Sequence, residues 1–158
     1  MSRPLSNEES IAREMIDILN RGATVDPRKS QSPIESRMLN ALLGCGFNTD
    51  VRAHDGLGTL WQQHSIDIGA GCVHVDFAVT RKVGLRRVRI AIEVDGHEFH
   101  QRTKEQVERD YQRGRELARV GWIVIRFTGS EVWRDAGACA LEVSGILIEA
   151  VDRIRGTP

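Results

Sequence analysis

The sequence predicts one α/β domain, and two observations carry that prediction. The chain has 158 residues, of which 41% are hydrophobic and 28% charged, which is enough apolar material for one core. Its apolar residues recur first at helical spacing, then at every second position, and then alternate between the two patterns. After an N-terminal arm, the patterns predict a helix, three antiparallel strands, a helix, a strand and a last helix.

The arm is predicted to cover residues 1–31. Ser6 and Glu9 have the spacing of a capping box, and apolar residues follow at helical intervals as far as Leu19. Residues 23–31 lack a periodic apolar pattern and are expected to be a linker. The main domain is therefore predicted to span residues 32–158.

Cap residues predict where the first two helices of the main domain begin. Ser32 is a capping residue, Pro33 occupies the first helical position and Glu35 the third, so a helix is expected from here to Gly44. Thr103 begins a second capping box. The side chains that this second helix is expected to bury are Val107, Tyr111, Leu117 and Ala118.

The last helix is predicted from about Ala138 to Ile154. Its expected buried side chains are Leu141, Ile146, Leu147, Ile148 and Val151.

Strand periodicity begins at Trp61 and assigns side chains to faces. One face of the second strand is expected to carry Val73, Val75, Phe77 and Val79, and the other Cys72, His74, Asp76 and Ala78. The third strand is expected to place Ile90, Ile92 and Val94 opposite Ala91, Glu93 and Asp95. A further strand is predicted over Trp122–Phe127.

Three carboxylates lie inside these apolar strands. Asp76, Glu93 and Asp95 are costly to bury unless they are paired or bind a metal ion. Glu93 and Asp95 project to one side of their strand, and a hairpin partner can bring Asp76 alongside. Clustered carboxylate oxygens suit Mg²⁺ or Mn²⁺. The alternative is that Asp76 and Glu93 pair with nearby arginines such as Arg87 and Arg89, and spacing alone does not decide between the two.

Three further titratable residues have ordinary explanations beside the functional one. Helix capping alone accounts for Glu35. His97 and His100 are three apart and make a weak metal signal, but an imidazole beside carboxylates suits proton transfer near neutral pH. The alternative is that both histidines are surface loop residues.

Charge is neutral overall and uneven along the chain. There are 22 basic and 22 acidic residues, yet residues 81–126 hold twelve basic and seven acidic ones. Nineteen of the basic residues are arginine, which suits bidentate contact with phosphate, although solvated helix faces would give the same count. No apolar run is long enough for a membrane span or signal peptide, and the three cysteines form no C-x-x-C pair. We therefore expect a cytoplasmic protein that has no membrane-spanning segment. We also expect neither a disulfide framework nor a zinc site formed by cysteines.

Five segments in order resemble the very-short-patch-repair (Vsr-like) endonucleases and their relatives in the PD-(D/E)xK superfamily. They are Gln62-Gln-His-Ser-Ile66, Val75-Asp-Phe-Ala-Val79, Ile92-Glu-Val-Asp-Gly-His-Glu-Phe-His100, Glu108-Arg-Asp110 and Gly121-Trp-Ile-Val-Ile-Arg-Phe127. The resemblance runs from about Ser32 to Val132. It implies a restriction-endonuclease-like core, an α/β fold in which a central mixed sheet with an antiparallel hairpin is flanked by helices.

The resemblance also implies roles for individual residues. Asp76 corresponds to the core metal-binding aspartate, Glu93 to the second acidic position, and Glu35 to the helix glutamate that supports the site. Asp95 stands where the superfamily usually has lysine, so it is expected to bind metal or act as a base, with His97 or His100 assisting. The structural zinc cysteines of true Vsr enzymes are not recognisable.

The expected function is a Mg²⁺-dependent endonuclease acting on DNA, with Mn²⁺ as a substitute ion and double-stranded DNA as the partner. The basic residues expected to hold phosphates are Arg102, Lys104, Arg109, Arg113 and Arg126, and Lys104 could also fold back into the place of the missing lysine. A homodimer would be needed for symmetric cutting of both strands. The alternatives are a catalytically inactive nuclease-fold module that binds nucleic acid, favoured by the replaced lysine, and a small interaction domain with solvated acidic strand ends.

Overall fold

The computed structural model describes residues 32–50, 56–95 and 103–156, where three helices and five strands are found. The predicted N-terminal arm, His97, His100 and Arg102 lie outside these residues. The elements are α1 (Pro33–Gly44), β1 (Phe47–Asn48), β2 (Gly58–Asp67), β3 (Cys72–Val83), β4 (Arg86–Asp95), α2 (Lys104–Arg119), β5 (Ile123–Thr128) and α3 (Gly129–Arg155).

The strands form one mixed sheet in the order β1-β2-β3-β4-β5. β2, β3 and β4 are antiparallel neighbours, whereas β1 pairs with β2 and β5 pairs with β4 in parallel. The predicted order of helices and strands is confirmed for the described residues, and only the two-residue β1 was not predicted. Helices flank the sheet, so the predicted α/β fold class is confirmed.

Two apolar clusters hold the layers together. The larger contains Phe77, Ile90 and Ile92 from the sheet and side chains of α1 and α3, such as Met38 and Leu147. The smaller contains Ala78 and Ala91 of the sheet with Leu117 of α2 and Trp122. The alternation along β4 is as predicted, since Ile90 and Ile92 face α1 and α3 while Ala91 faces α2.

Caps define the helix starts, as the sequence predicts for α1 and α2. The Ser32 hydroxyl accepts a hydrogen bond from the Glu35 N–H at 3.2 Å, and Thr103 forms a full capping box with Gln106. For α3 the predicted start at Ala138 was wrong, because a capping box at Thr128 begins the helix at Gly129.

The predicted start of α3 nevertheless marks a real feature. Asp135 has non-helical backbone angles (φ −156°, ψ 82°), and its Oδ1 accepts a hydrogen bond from the Ala138 N–H at 2.9 Å. Asp135 is therefore the N-cap of the helical segment after a kink, which begins at Ala136, two residues before the predicted start.

The prediction that Val73, Val75, Phe77 and Val79 share one face of β3 was wrong. Val73 and Val75 pack with Ala78 in the cluster that faces α2, whereas Phe77 and Val79 belong to the cluster that faces α1 and α3. The alternation of the strand therefore reverses between Val75 and Phe77, at the position of Asp76.

In the neighbouring strand β2, the alternation of side chains between the two faces also reverses, at the same level of the sheet. Gln63 in β2 has a positive φ of 44°, and the rings of Trp61 and His64 on either side of it lie 5.6 Å apart. Residues three apart in a regular strand point to opposite faces, so the left-handed residue between them brings both rings to one face. Period-two patterning assumes extended backbone throughout and cannot anticipate such a residue.

The predicted buried faces of α2 and α3 were wrong in part. In α2 only Leu117 is buried, whereas Tyr111 is 65% exposed and Val107 and Ala118 are also exposed. In α3, Leu147 and Val151 are buried and Ile146 is half-buried, but Leu141 and Ile148 are exposed.

The stripe of α3 that faces the sheet explains this difference. It runs through Val132, Ala136, Cys139, Ala140, Val143, Leu147 and Val151 at helical spacing, so Leu141 and Ile148 lie off its axis. Within the described residues, no helix combines the length and apolarity needed to cross a membrane.

Truncating the one buried side chain of α2 tests this packing. Leu117→Ala should lower the free energy of unfolding by about 2–5 kcal/mol, because it opens a cavity in the smaller cluster. Val107→Ala on the same helix should change it by less than about 0.5 kcal/mol, because Val107 is exposed. Urea unfolding measures both, and equal losses would contradict the observed orientation of α2.

Candidate functional site

The β3–β4 hairpin brings Asp76 to β4, as the sequence predicts. Phe77 of β3 pairs with Ile92 of β4. Because the strands are antiparallel, the adjoining residues Asp76 and Glu93 lie side by side. The Val94 N–H donates a hydrogen bond to Asp76 Oδ2 at 2.7 Å. Backbone pairing and this hydrogen bond therefore determine the position of the Asp76 carboxylate.

All three predicted carboxylates line one polar cavity of about 240 Å³. Its walls also include the side chains of Asp110, Arg113 and Arg126, and so come from β3, β4, α2 and β5. Across residues 32–50, 56–95 and 103–156, however, no three His, Cys, Asp or Glu side chains are grouped closely enough to hold one ion together. The structure thus brings the predicted residues to one cavity without converging them on one point.

Glu93 is 6% exposed and contacts two arginines. Its Oε2 accepts a hydrogen bond from Arg126 Nε at 2.6 Å, and its Oε1 lies 2.8 Å from Arg113 Nη2. The Arg113 contact is an ion pair without hydrogen-bond alignment, so Oε1 is buried and has no hydrogen-bond partner among the described residues. The ion-pair alternative is therefore found for Glu93, although the partners are not Arg87 and Arg89.

The two arginines are themselves held by backbone carbonyls. Arg126 Nη2 donates to the carbonyl of Asp110 at 3.0 Å, and Arg113 Nη2 donates to the carbonyl of His74. The side chains that were predicted to hold phosphates thus connect α2, β3 and β5 around Glu93.

The Asp76 carboxyl lies in an environment that disfavours its charge. Burial raises its pKa above the ordinary value, and the nearby Glu35 and Glu93 carboxylates raise it further. The Val94 hydrogen bond and Arg113 act in the opposite direction, but the net shift is upward. A cation beside Asp76 would reverse this imbalance.

Glu35 combines its capping position with contact to the sheet. Its Oε1 accepts a hydrogen bond from the Ser32 hydroxyl at 3.0 Å, and its Oε2 accepts one from Gln63 Nε2 at 2.9 Å. Its effect on the Asp76 pKa places its charge near the cavity. Glu35 therefore keeps its capping position while its carboxylate contacts the strand beside Asp76.

Gln63 is a residue that sequence reasoning did not select. It lies opposite Asp76, between the pairs Gln62–Phe77 and His64–Val75, and it has the left-handed backbone conformation described above. Such a conformation in a residue other than glycine costs on the order of 1–3 kcal/mol and is concentrated at functional sites. The sequence feature that could have identified Gln63 is its polar side chain in the middle of a half-buried strand.

The remaining predicted residues lie around or outside the cavity. Asp95 also lines an adjoining cavity of about 240 Å³, whose other walls include Val107, Tyr111 and Phe127. Lys104 and Arg109 are exposed in the first turns of α2. His97, His100 and Arg102 belong to the segment outside the described residues.

Replacing Asp76 by asparagine should raise the thermal unfolding midpoint at pH 7 by a few degrees. The folded state binds the Asp76 proton more tightly than the unfolded chain, so the ionised form destabilises the fold. This cost is absent below the unfolded pKa and grows as pH rises through the folded one, so the gain in Asp76→Asn should vanish in acid. The matched control is Asp67→Asn, an exposed aspartate that likewise accepts a backbone N–H bond. A lower midpoint for Asp76→Asn at pH 7 would contradict this electrostatic account.

Removing the Arg126 side chain should lower the free energy of unfolding by about 3 kcal/mol, because it leaves the buried Glu93 charge poorly compensated. Adding Glu93→Gln should recover part of that loss. The control is Arg153→Ala, which breaks the exposed pair with Glu149 and should cost less than about 0.5 kcal/mol. If removing the Arg126 side chain and Arg153→Ala lowered the free energy of unfolding equally in denaturant, burial of Glu93 would not contribute to the strength of its ion pair.

Comparison with known proteins identifies the family of this domain. The family model described as REase_MTES_1575, which is restriction-endonuclease-like, matches residues 59–146 and thus more than half of the chain. The matched region includes the three predicted carboxylates, Arg113 and Arg126. It does not single out the Vsr-like enzymes, and the comparisons with curated proteins and with solved structures returned no match. With its mixed sheet and the carboxylates on its central hairpin, the chain belongs to the restriction-endonuclease-like family REase_MTES_1575.

Proposed function

We propose that this protein is a metal-dependent endonuclease that hydrolyses phosphodiester bonds in DNA. The observation that carries the proposal is the polar cavity lined by Asp76, Glu93 and Asp95 in a domain of a restriction-endonuclease-like family. Family membership indicates a nuclease-like module whose substrate is nucleic acid. Metal dependence and a DNA substrate are the further steps of this proposal.

The residues of the cavity suit Mg²⁺, or Mn²⁺ in its place. Burial and neighbouring carboxylates raise the Asp76 pKa, as expected where excess negative charge is close to the carboxyl. Carboxylate oxygens are the ligands these ions prefer. The proposed ligands are Asp76, Glu93 and Asp95, which line one cavity but would have to draw closer together to hold one ion. When bound, the ion would supply positive charge to the phosphate and lower the pKa of a water.

Arg113 and Arg126 supply the cavity with permanent positive charge, which Asp95 cannot supply. Asp95 stands where the superfamily usually has lysine, and the basic residues among the described lining of the cavity are Arg113 and Arg126. Arginine stays protonated at any working pH, so these side chains can hold Glu93 and offset phosphate charge but cannot abstract a proton.

Proton transfer is therefore assigned to other groups. Asp95 lines the cavity, and His97 and His100 follow it within five positions of the chain. We assign the base to one of these histidines, or to Asp95 where it does not hold the ion, since imidazole and carboxylate groups can accept a proton from water. Lys104 and Arg109 are exposed at the start of α2 and suit contacts with flanking phosphates, as does Arg102.

The finer parts of the proposal rest on the sequence. The five segments that resemble Vsr-like enzymes favour double-stranded DNA as the substrate, and a homodimer would allow symmetric cutting of both strands. Glu35 and Gln63 take supporting roles, because their hydrogen bond ties α1 to the strand beside Asp76.

A second candidate is a catalytically inactive module that binds nucleic acid. Two observations favour it: Glu93 is already neutralised by Arg113 and Arg126, and Asp95 replaces the lysine. The two candidates differ in whether metal binding leads to cleavage.

Cleavage of plasmid and short duplex DNA tests the proposal. Wild-type protein should cleave with Mg²⁺ or Mn²⁺ and not with EDTA. Asp76→Asn, which can keep the Val94 hydrogen bond but loses a charged ligand, should reduce the rate by about a hundredfold or more. Asp67→Asn should cleave like wild type. Equal activity in EDTA or in Asp76→Asn would refute the mechanism.

Calorimetric titration with Mn²⁺ separates the two candidates. The endonuclease requires Mn²⁺ binding that Asp76→Asn weakens, together with cleavage. Salt-dependent DNA binding without metal-dependent cleavage of any substrate would instead establish the inactive module.

A further inference from the structure

The end of the β3–β4 hairpin that lies away from the carboxylates extends beyond the rest of the sheet. β2 pairs with β3 only as far as Thr80, and β5 pairs with β4 only from Ile90 onward. Residues 80–83 and 86–89 pair with each other. The hairpin therefore ends in a two-stranded ribbon, residues 81–89, which is named the basic ribbon below.

The ribbon is strongly cationic. Its nine residues include five cations, Arg81, Lys82, Arg86, Arg87 and Arg89, and no acidic residue. Leu85 at its tip is fully exposed. This density exceeds that of any segment near the carboxylate cavity and accounts for much of the local excess of basic residues in 81–126.

The two faces of the ribbon differ. Val88 is 4% exposed and packs into the larger cluster, and Arg81 on the same face donates hydrogen bonds to the carbonyls of Gly56 and Leu57. Lys82, Arg87 and Arg89 lie on the other face and are exposed. One face is thus structural and the other is an open cationic surface.

On the open face Arg89 donates a hydrogen bond to the Val120 carbonyl at 3.5 Å, whereas Lys82 and Arg87 make no hydrogen bond or ion pair within the described residues. Lys82 and Arg87 are direct cross-strand partners, and like charges in this position destabilise a sheet. An open groove of about 540 Å³ lies against the ribbon, with Lys82, Arg86, Arg87 and Arg89 on its walls and no carboxylate among its described lining residues. Uncompensated, opposed cations at an exposed edge are the pattern that a polyanion neutralises.

We propose that the basic ribbon is a second contact surface for duplex DNA, which binds the phosphate backbone without reading sequence. The inference rests on the proposed DNA substrate but does not need cleavage. Arg87 and Glu93 are six residues apart on β4, about 20 Å, and this equals about six base pairs of duplex. The ribbon thus contacts backbone about six base pairs from the phosphate at the carboxylate cavity.

Salt-dependent binding of a duplex of about 20 base pairs in EDTA tests the ribbon. The double variant Lys82→Ala/Arg87→Ala should bind about tenfold more weakly at low salt, and its slope of log K against log salt should be shallower by about 1.8. Leu85→Ala should bind like wild type, and Arg87→Lys should keep most of the affinity because a point charge suffices for a phosphate.

Thermal stability and the kinetic constants show whether weaker binding by the double variant has another cause, such as partial unfolding or a damaged cavity. The thermal unfolding midpoint of the double variant should equal or exceed that of wild type, because a repulsive pair is removed. With Mg²⁺, KM should rise and kcat should stay unchanged, and a duplex with fewer than about six base pairs beside the cut should not distinguish the variant from wild type.

The outcomes separate this inference from the proposed function. If wild type binds or cleaves DNA and the double variant does so with the same salt slope, the ribbon is refuted and the endonuclease stands. If wild type neither binds nor cleaves duplex DNA, both fail. Charge-dependent binding to vesicles of anionic lipid, with none to duplex, would also overturn the ribbon's assignment.

Discussion

The ion pairs around Glu93 are the interaction on which the geometry of the cavity depends. The Glu93 carboxylate on β4 contacts Arg113 from α2 and Arg126 from β5, and Arg126 also donates a hydrogen bond to the Asp110 carbonyl. Because Leu117 is the one side chain of α2 that is buried, apolar packing holds only its C-terminal end. The polar network therefore positions the N-terminal half of α2, and with it the wall of the cavity. Its strength comes from low exposure, since the same pair in water contributes little.

The reversal of alternation in β2 and β3 is a second constraint, and it lies at the same level of the sheet. Gln63 adopts a strained left-handed conformation opposite Asp76 and donates a hydrogen bond to Glu35. As a result the residues before and after Asp76 pack into different clusters. Asp76 occupies the point where neither cluster covers the strand, so it is only half-buried and can face the cavity. Backbone strain at Gln63 and a raised pKa at the facing Asp76 are features that are concentrated at binding sites.

In the folded chain, opposite charges are separated along the β3–β4 hairpin. The β3–β4 hairpin carries carboxylates at one end and the basic ribbon at the other, about 20 Å apart by strand geometry. The neutral total therefore conceals a dipolar surface element within one hairpin. Part of the positive charge of residues 81–126 is used within the fold, since Arg113 and Arg126 neutralise Glu93, whereas Lys82, Arg86 and Arg87 of the ribbon are exposed.

The sequence by itself determined the order of elements, the caps of α1 and α2, and the placement of Asp76, Glu93 and Asp95 on facing strands. These features follow from local rules, because caps and periodicity act over three or four residues. The start of α3 is likewise local, because Thr128 and Glu131 have capping-box spacing, although the predicted start at Ala138 did not include them. Only the tertiary structure decided that Gln63 reverses two strands, that Glu93 pairs with Arg113 and Arg126, and that Tyr111, Leu141 and Ile148 stay exposed. Each of these depends on contacts between residues far apart in the chain, whose energies no local pattern contains.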